Sequence, residues 1–311
     1  MKKSSLITRL ITAAFFTSLV LVACKKEDSG SLTPEQEAEA ATFSSESEAE
    51  SEVIFNDVFD NVMGVNTEVG VGVTGVFGRS SSGSTSGREM EMDSTNSCVQ
   101  VHVTFLNPPA RFPMKIVIDF GNGCLGRDGH WRYGKIITVY TGPLMHPGSS
   151  ATTTYEHFKL DSIKVEGTHK IANTTNSTVG SNLKQFTITV TDAKLTKPNG
   201  NYVMWNSNRV ITQIEGNGTS MPVDDVFKIT GSGRGKVKRG NVLYAWHSEI
   251  TEPLIKKFTC RWISKGIIKV RRETLASNSQ WVAVLNYGPG TCDYFATLTI
   301  NGVTHNIQLP H

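Results

Sequence analysis

From residue 98 to its end, the chain alternates apolar and polar residues in short runs rich in β-branched and aromatic side chains. Alternation with a period of two predicts strands that bury one face. Val99–Phe105 and Met114–Phe120 are separated by the breaker-rich residues 107–113, and together they predict a hairpin. The later runs of the same kind are residues 133–140, 158–166, 186–191, 202–215, 226–230, 242–250, 266–271, 281–287, 295–300 and 303–309.

Turn signals separate these runs. Asn301-Gly302 is the pair that favours a type I′ hairpin turn, and Asn199-Gly200 and the glycine-rich Gly231–Gly235 predict further turns. No long helical pattern interrupts the strands, and parallel strands need long crossover connections. The sequence therefore predicts an all-β fold: one large, mainly antiparallel sheet of roughly twelve strands that is curled, folded into a sandwich or shaped as an open barrel.

One short N-terminal helix is predicted ahead of the sheet. Seven apolar residues between 53 and 63 recur at helical spacing, and Gly64 stands where it can end the helix. Such a short helix is marginal alone, so we expect it to pack on one end or face of the sheet. A weak, glycine-rich strand is predicted at Val69–Phe77.

The first residues have the pattern of an export signal. A basic segment at residues 2–9 precedes an apolar run at residues 10–23, which is too short to span a bilayer comfortably and predicts a signal peptide over residues 1–23. The run ends in Leu21-Val-Ala-Cys24, which resembles the bacterial lipobox. Cys24 is therefore expected to become the first mature residue and to carry acyl chains such as palmitate. The alternative is an ordinary secretory signal with a chance cysteine.

The next segment is acidic. Residues 24–52 are rich in Glu, Ser and Ala, a composition that predicts a lipidated, disordered tether. Within it, Lys25–Asp28 resembles the charged signals that send lipoproteins of Bacteroidota to the outer face of the outer membrane, although a plain polar tether has the same letters. We expect a lipid-anchored protein of the outer membrane, on its periplasmic or cell-surface face, with residues 53–311 as one β domain.

Charge differs between these segments. Residues 1–23 carry three basic residues and no acid, whereas residues 25–52 carry two lysines and nine acids, a net −7. Because the whole chain is +3, residues 53–311 carry +7. A basic domain on an acidic tether suits an anionic surface or glycan as a neighbour, although the same charge serves solubility alone.

Four cysteines remain after Cys24, and an even number in an exported chain predicts two disulfides. Paired residues of an antiparallel hairpin have numbers with a constant sum, and a turn at Arg111 gives 222, which pairs Cys98 with Cys124. The same construction pairs Cys260 with Cys292 around a turn at residue 276. We therefore predict an internal duplication of one disulfide-linked hairpin; metal binding by these cysteines is disfavoured because they lack ligand spacing.

A family resemblance rests on three motifs. The segment Ile118–Ile136 (IDFGNGCLGRDGHWRYGKI), the later Gly288–Asp293 (GPGTCD) and the closing Asn301-Gly302 resemble a family of uncharacterised lipoproteins of Bacteroidota. The resemblance covers most of the chain beyond Cys98. It implies a surface or periplasmic location and brings no activity, ligand or catalytic residue.

The first motif also supplies the candidate ligand surface. Basic residues alternate there with aromatic ones, as they do on many sugar- or phosphate-binding surfaces; turn residues at strand ends would explain the same letters. The residues of this candidate ligand surface are Arg127, His130, Trp131, Arg132, Tyr133 and Lys135. Asp119, Asn122 and Asp128 are weak candidates for a calcium site, because glycines occupy two of the ligand positions that an EF-hand loop requires.

No catalytic motif is evident. The chain has no nucleophile elbow and no zinc-binding histidine pair, and no cofactor is predicted. We expect a non-catalytic, membrane-anchored binding or structural module whose partners are the membrane and an anionic glycan or envelope protein, not nucleic acid. The alternatives are a lipid or acyl-chain carrier on a curved sheet and a glycan-active enzyme whose paired carboxylates are distant in sequence.

Overall fold

The fold is taken from a computed structural model, which describes residues 33–65, 89–92, 98–126, 128–176, 183–217, 224–273 and 283–309. The predicted signal peptide (residues 1–23), Cys24, the first part of the predicted tether, the weak strand at Val69–Phe77 and Arg127 of the candidate ligand surface lie outside these ranges.

The described residues form one helix and a series of strands. In chain order they are α1 (Pro34–Met63), β1 (Glu89–Met92), β2 (Gln100–Asn107), β3 (Ala110–Asp119), β4 (Cys124–Leu125), β5 (Trp131–Tyr140), β6 (Ser150–Leu160), β7 (Ile163–Asn173), β8 (Gln185–Thr196), β9 (Tyr202–Glu215), β10 (Val226–Arg239), β11 (Val242–Lys257), β12 (Lys265–Arg272), β13 (Ala283–Pro289), β14 (Phe295–Ile300) and β15 (Val303–Gln308).

The strands make one antiparallel sheet, which confirms the predicted fold class. Its order follows the chain from β1 to β15, except that the short β4 lies off this path and pairs with β5. Within the described strands, β1 and β15 end the sheet without pairing with each other, so the sheet is not closed. The predicted Asn301-Gly302 turn joins β14 to β15, and both residues have the positive φ that a type I′ turn requires.

The sheet curls around α1. On β5, Tyr140 Oη donates a hydrogen bond to the Val62 carbonyl (2.9 Å), on β12 Arg272 pairs with Glu37, and β13 and β14 also contact the helix. The ten strands from β5 to β14 would extend for about 43 Å if they lay flat, whereas a helix with its side chains is only about 10–12 Å across. α1 runs along the strands, because Glu37 meets Arg272 at the end of β12 while Asp60 meets Lys256 near the opposite end of the neighbouring β11. In this orientation one helix can contact both β5 and β14 only if the sheet wraps around it.

The helix is longer than the sequence predicts. It begins at Pro34 behind a capping box formed by Thr33 and Gln36, and it ends at Gly64, whose φ of 75° is left-handed. The expectation of a disordered tether through residue 52 is therefore wrong for residues 34–52, most of which are helical and buried. In the described part of the chain, no helix is both long and apolar enough to cross a bilayer.

Two strand predictions also differ from the structure. Residues 158–166 are not one strand, because β6 and β7 meet at a tight turn in which Asp161 has a φ of 53° and Leu160 pairs with Ile163. The glycines of Gly231–Gly235 are not a turn, because β10 continues through them. Glycines serve there to admit bulky neighbours on the inner face of the sheet.

Both predicted disulfides are present. Cys98 is bonded to Cys124 with Cα atoms 5.5 Å apart, and Cys260 is bonded to Cys292 with Cα atoms 5.7 Å apart. The first hairpin has a different register from the predicted one, since Gln100 pairs with Asp119 and the turn lies at residues 108–109. The chain leaves β3 after Asp119 and turns before Cys124, which lies on β4, so this bridge joins the base of the hairpin to the next strand.

Candidate binding surfaces

β5 carries most of the candidate ligand surface, and its alternation divides these residues between two faces. Trp131 is 44% exposed, and its ring stacks on that of Tyr133 with centroids 6.1 Å apart. The Lys135 ammonium lies 3.3 Å from the Asp119 carboxylate on the same outer face. Arg132, by contrast, is buried on the inner face. The structure therefore brings together three of the six predicted residues.

The two buried members hold the fold together. The Arg132 guanidinium pairs with Asp128 at 2.8 Å and with Asp57 of α1 at 3.2 Å. His130 Nδ1 lies 2.7 Å from the Asp161 carboxylate in the turn between β6 and β7. Arg132 thus links β5 to the helix, and His130 links the segment before β5 to the following hairpin.

The two acidic residues among the weak metal candidates are bound to protein groups. Asp119 accepts a hydrogen bond from the Gly121 N–H (2.8 Å) in addition to its pair with Lys135. Burial would raise the pKa of Asp128, but hydrogen bonds and charge from Arg132 outweigh it and lower that pKa to about 2. Asn122 is exposed. Among the residues that the structure describes, no group of three or more His, Cys, Asp or Glu side chains is placed to hold a metal ion.

The interior contains a buried polar cluster that the sequence did not predict. Glu48 of α1 is fully buried and accepts four hydrogen bonds. Its donors are Trp205 Nε1 (2.9 Å), Trp246 Nε1 (2.8 Å), Ser248 Oγ (2.6 Å) and Arg209 Nη2 (2.9 Å).

Arg209 also binds Glu52, one helical turn after Glu48. Burial raises the pKa of Glu52, and the charge of the neighbouring Glu48 adds to the rise, although the charge and the hydrogen bond of Arg209 oppose it. These buried groups connect α1 to β9 and β11 and are not accessible to solvent.

The same pairing continues along the helix. α1 carries nine acidic and no basic side chains, and seven of the nine pair with a cation in the described part of the chain. Towards its C-terminal end, Asp60 pairs with the fully buried Lys256 at 2.8 Å, and burial raises the pKa of Asp60 to about 6. Lys256 also donates to the Cys260 carbonyl (3.2 Å), so this end of α1 lies beside the second disulfide.

A groove of about 500 Å³ opens near the same disulfide. Its lining consists of Asn286, Tyr287, Gly288, Pro289, Asp293, Phe295, Ala296, Thr297 and Asn306. Such a volume is typical of small-ligand sites. Phe295 is 52% exposed at this groove, and its ring centroid lies 4.3 Å from that of Tyr294.

Polar groups of the groove are held in place by the sheet and by turns. Asn286, Thr297 and Asn306 are register partners across β13, β14 and β15, so they form one row. Asn286 Oδ1 accepts from the Gly288 N–H (2.9 Å), and Asp293 Oδ1 accepts from the Phe295 N–H (2.9 Å). The groove thus combines one exposed aromatic ring with a row of amide and hydroxyl side chains and one carboxylate, of which Asn286 and Asp293 are held by hydrogen bonds.

The groove and the start of α1 lie at opposite ends of the strands. Glu37 in the first turns of α1 meets Arg272 at the end of β12, whereas Lys265 at the beginning of β12 pairs with Pro289 of the groove. The seven residue steps from Lys265 to Arg272 correspond to about 23 Å along the strand.

The start of α1 could have been identified from the sequence, whereas the groove could not. The capping box of Thr33 and Gln36, with Pro34 at the first helical position, marks the true start of α1 in the sequence. The groove has no such signal, because its row depends on the register of three strands.

Comparisons of the chain with protein-family models, with curated proteins and with solved structures gave no match.

Proposed function

We propose that this chain is a lipid-anchored lipoprotein of the outer membrane that acts as a non-catalytic binding module, with the groove at β13–β15 as its ligand site. The observation that carries the proposal is that groove, which places an exposed Phe295 beside a row of hydrogen-bonding side chains at the opposite end of the fold from the start of α1. Aromatic faces with a few fixed polar groups are typical of ligand sites. A saccharide ring, with an apolar face and a hydroxyl rim, fits this arrangement.

The anchor is supported by the sequence and by distance along the chain. Cys24 precedes Thr33 by nine residues, which can span at most about 30 Å. A lipid at Cys24 would therefore hold the N-terminal end of α1 near the membrane and leave the groove directed away from it.

The two alternatives are less well supported. A lipid carrier needs an apolar concavity, but the inner side of the curled sheet is occupied by α1 and its charged contacts. A retaining or inverting glycosidase needs two carboxylates across a cleft; among the described lining residues of the groove, Asp293 supplies one.

A glycan array tests the groove. The detergent-solubilised mature lipoprotein is applied beside the variant Phe295→Ser and the control Leu243→Ser, which removes an exposed apolar side chain (57%) from β11. We expect glycan binding that Phe295→Ser weakens by about tenfold and that Leu243→Ser leaves unchanged. Binding that ignores Phe295, or no binding to any glycan, would refute the groove as a glycan site and favour a structural or protein-binding role.

Labelling tests the anchor separately. Cells fed radiolabelled palmitate should yield a labelled chain in the outer-membrane fraction, and Cys24→Ser should abolish the label. A labelled Cys24→Ser variant, or an unlabelled wild type, would refute lipidation at this residue.

A further inference from the structure

A second feature of the surface is a set of cations on the outer face of β8 to β10. Lys194, Arg234, Lys236 and Lys238, here called the outer cationic patch, come together through the strand register. Lys194 and Lys236 are both register partners of Met204 on β9, and Lys238 is the register partner of Tyr202. Register partners lie about 4.5–5.5 Å apart at Cβ, so the patch is compact.

The cations of β8 to β12 differ in their partners according to the face of the sheet on which they lie. Those facing inward are Arg209, Arg239, Lys256 and Arg272, and each pairs with an acidic residue of α1. In the described part of the chain, no residue of the outer cationic patch forms an ion pair; Lys194 and Lys238 instead lie over the ring of Tyr202, at 5.1 and 5.9 Å. Fold stability accounts for the inner cations but gives no reason for the outer ones.

Their arrangement has an energetic cost. Lys236 and Lys238 project from one face of β10, and Arg234 precedes them on the same face. Like charges on neighbouring positions of a sheet repel and destabilise it. Such an array is expected where an external anion compensates the repulsion.

The surface between the cations has the shape and chemistry of a ligand site. A depression of about 260 Å³ is lined by Met204, Asn206, Arg234, Gly235, Lys236 and Glu273. Met204 is 41% exposed, and Tyr202 is partly exposed beside it on the same strand face. Apolar surface between cations suits a polymer that carries both rings and charges.

Neighbouring groups add charge of both signs. His247 and Arg271 continue the row of Arg234 across β11 and β12, and burial, followed by the charge of Arg271, lowers the pKa of His247. Glu249 and Glu273 lie beside this row and partly offset its charge.

We infer that the outer cationic patch is a second binding site, for an anionic polysaccharide with sulfate, phosphate or carboxylate groups. Tyr202 and Met204 contact the sugar rings, and the four cations bind the charged groups. The choice of polysaccharide over nucleic acid rests on the proposed location in the cell envelope; the site itself is independent of the groove at β13–β15.

Dextran sulfate and neutral dextran of equal length are the probes. Each is titrated against the detergent-solubilised mature lipoprotein by calorimetry at several salt concentrations. The variants are Lys236→Gln/Lys238→Gln and, as a control with the same change in net charge, Lys228→Gln/Lys265→Gln, two exposed lysines outside the patch. Binding of dextran sulfate alone is expected, weakened about tenfold or more in the patch variant, with a shallower salt dependence. The control should bind like the wild type.

Equal weakening in the two variants would overturn the proposed site, because it would show that binding depends only on the net charge of the protein. Double-stranded DNA bound as tightly as dextran sulfate would overturn the ligand class. Thermal unfolding completes the test: removing the repulsion should leave the midpoint of the patch variant unchanged or raise it, and a lowered midpoint would assign Lys236 and Lys238 a structural role. Loss of dextran sulfate binding in Phe295→Ser would show that the two sites are not independent.

Discussion

Gly233 and Gly235 lie on the inner face of β10, where two indoles and a carboxylate need the space. A Cβ on Gly235 would overlap the Trp246 ring, and one on Gly233 would lie 2.8 Å from Ser248 Oγ and 3.1 Å from the Glu48 carboxylate. Their role is close approach, not a turn.

Gly235→Ala is predicted to lower the free energy of unfolding by about 1–3 kcal/mol, because the Trp246 indole must move from its bond to Glu48. Ser232→Ala, on the opposite face of β10, should change it by no more than about 0.5 kcal/mol. Chemical denaturation of both variants measures the difference, and equal stability of the two would contradict the packing described.

His169 is predicted to make the fold sensitive to acid. It is buried beside Phe55, with ring centroids 6.1 Å apart, and burial lowers its pKa to about 3. The folded chain keeps the ring neutral while the unfolded chain protonates it below its ordinary pKa of 6.5. Stability from this residue is therefore present above pH 6.5 and is lost as the pH falls towards 3.

The comparison is between the wild type and His169→Phe, which keeps the stacked ring without a titrating group. Between pH 7 and pH 4 the wild type should lose about 2–3 kcal/mol more than the variant in urea unfolding. The raised pKa values of Asp60 and Asp225, both about 6 because of burial, act in the opposite direction but are common to both chains. Parallel pH profiles would show that His169 does not titrate on unfolding.

At the scale of elements, α1 contacts the sheet in two ways. Apolar side chains of its second half, such as Phe55 and Phe59, pack in the core against Trp205 and Phe227, whereas its acidic side chains form ion pairs. Its small residues, among them Ala41, Ser44 and Ala49, are buried. Its acids reach cations that come from β5, β9, β10, β11 and β12. Burying a charge is costly unless it is paired and hydrogen-bonded, and Glu48 meets both conditions.

Glu48→Gln is predicted to cost about 3–5 kcal/mol of stability, because an amide cannot accept from both indoles and also pair with Arg209. Glu46→Gln is the matched control on the same helix: its carboxylate is 39% exposed and pairs with Arg239, so its loss should cost about 0–1 kcal/mol. Thermal or urea unfolding compares the two. Similar losses would mean that the buried cluster contributes no more than a surface pair.

The elements themselves were partly predictable. Alternation located most strands well, and residues 202–215 match β9 at both ends. The helix was predicted only from residue 53, because its first half has no apolar stripe; acidic and small residues look solvated until their partners on distant strands are known. The Cys pairing was correct although the register of the first hairpin was not, since Cys124 follows a turn that simple hairpin counting leaves out.

The candidate ligand surface was less predictable for the same reason. Trp131 and Arg132 are adjacent in sequence but lie on opposite faces of the sheet, and spacing alone does not say which face holds a buried partner. The groove and the outer cationic patch depend on register across several strands.

At the scale of the whole molecule, the sheet wraps around α1, and the helix covers most of the sheet's inner face. A chain that begins at residue 53 lacks Glu37, Glu46, Glu48 and Glu52, so it leaves Arg209 buried without its partners. Such a chain is predicted to show no cooperative unfolding transition, whereas a chain that begins at residue 33 should unfold cooperatively. Calorimetry of both chains is the measurement, and matching transitions would show that residues 33–52 are dispensable for the fold.

The ion pairs of α1 also have a mechanical consequence. The helix runs along the strands, with Glu37 at Arg272 near one end and Asp60 at Lys256 near the other. Tension applied at its N-terminus would pull the helix lengthwise past the sheet, so the pairs would share the load in shear instead of breaking one after another. In a protein anchored at this end, movement of the membrane would place the load on the helix, and the groove at the opposite end would keep its shape.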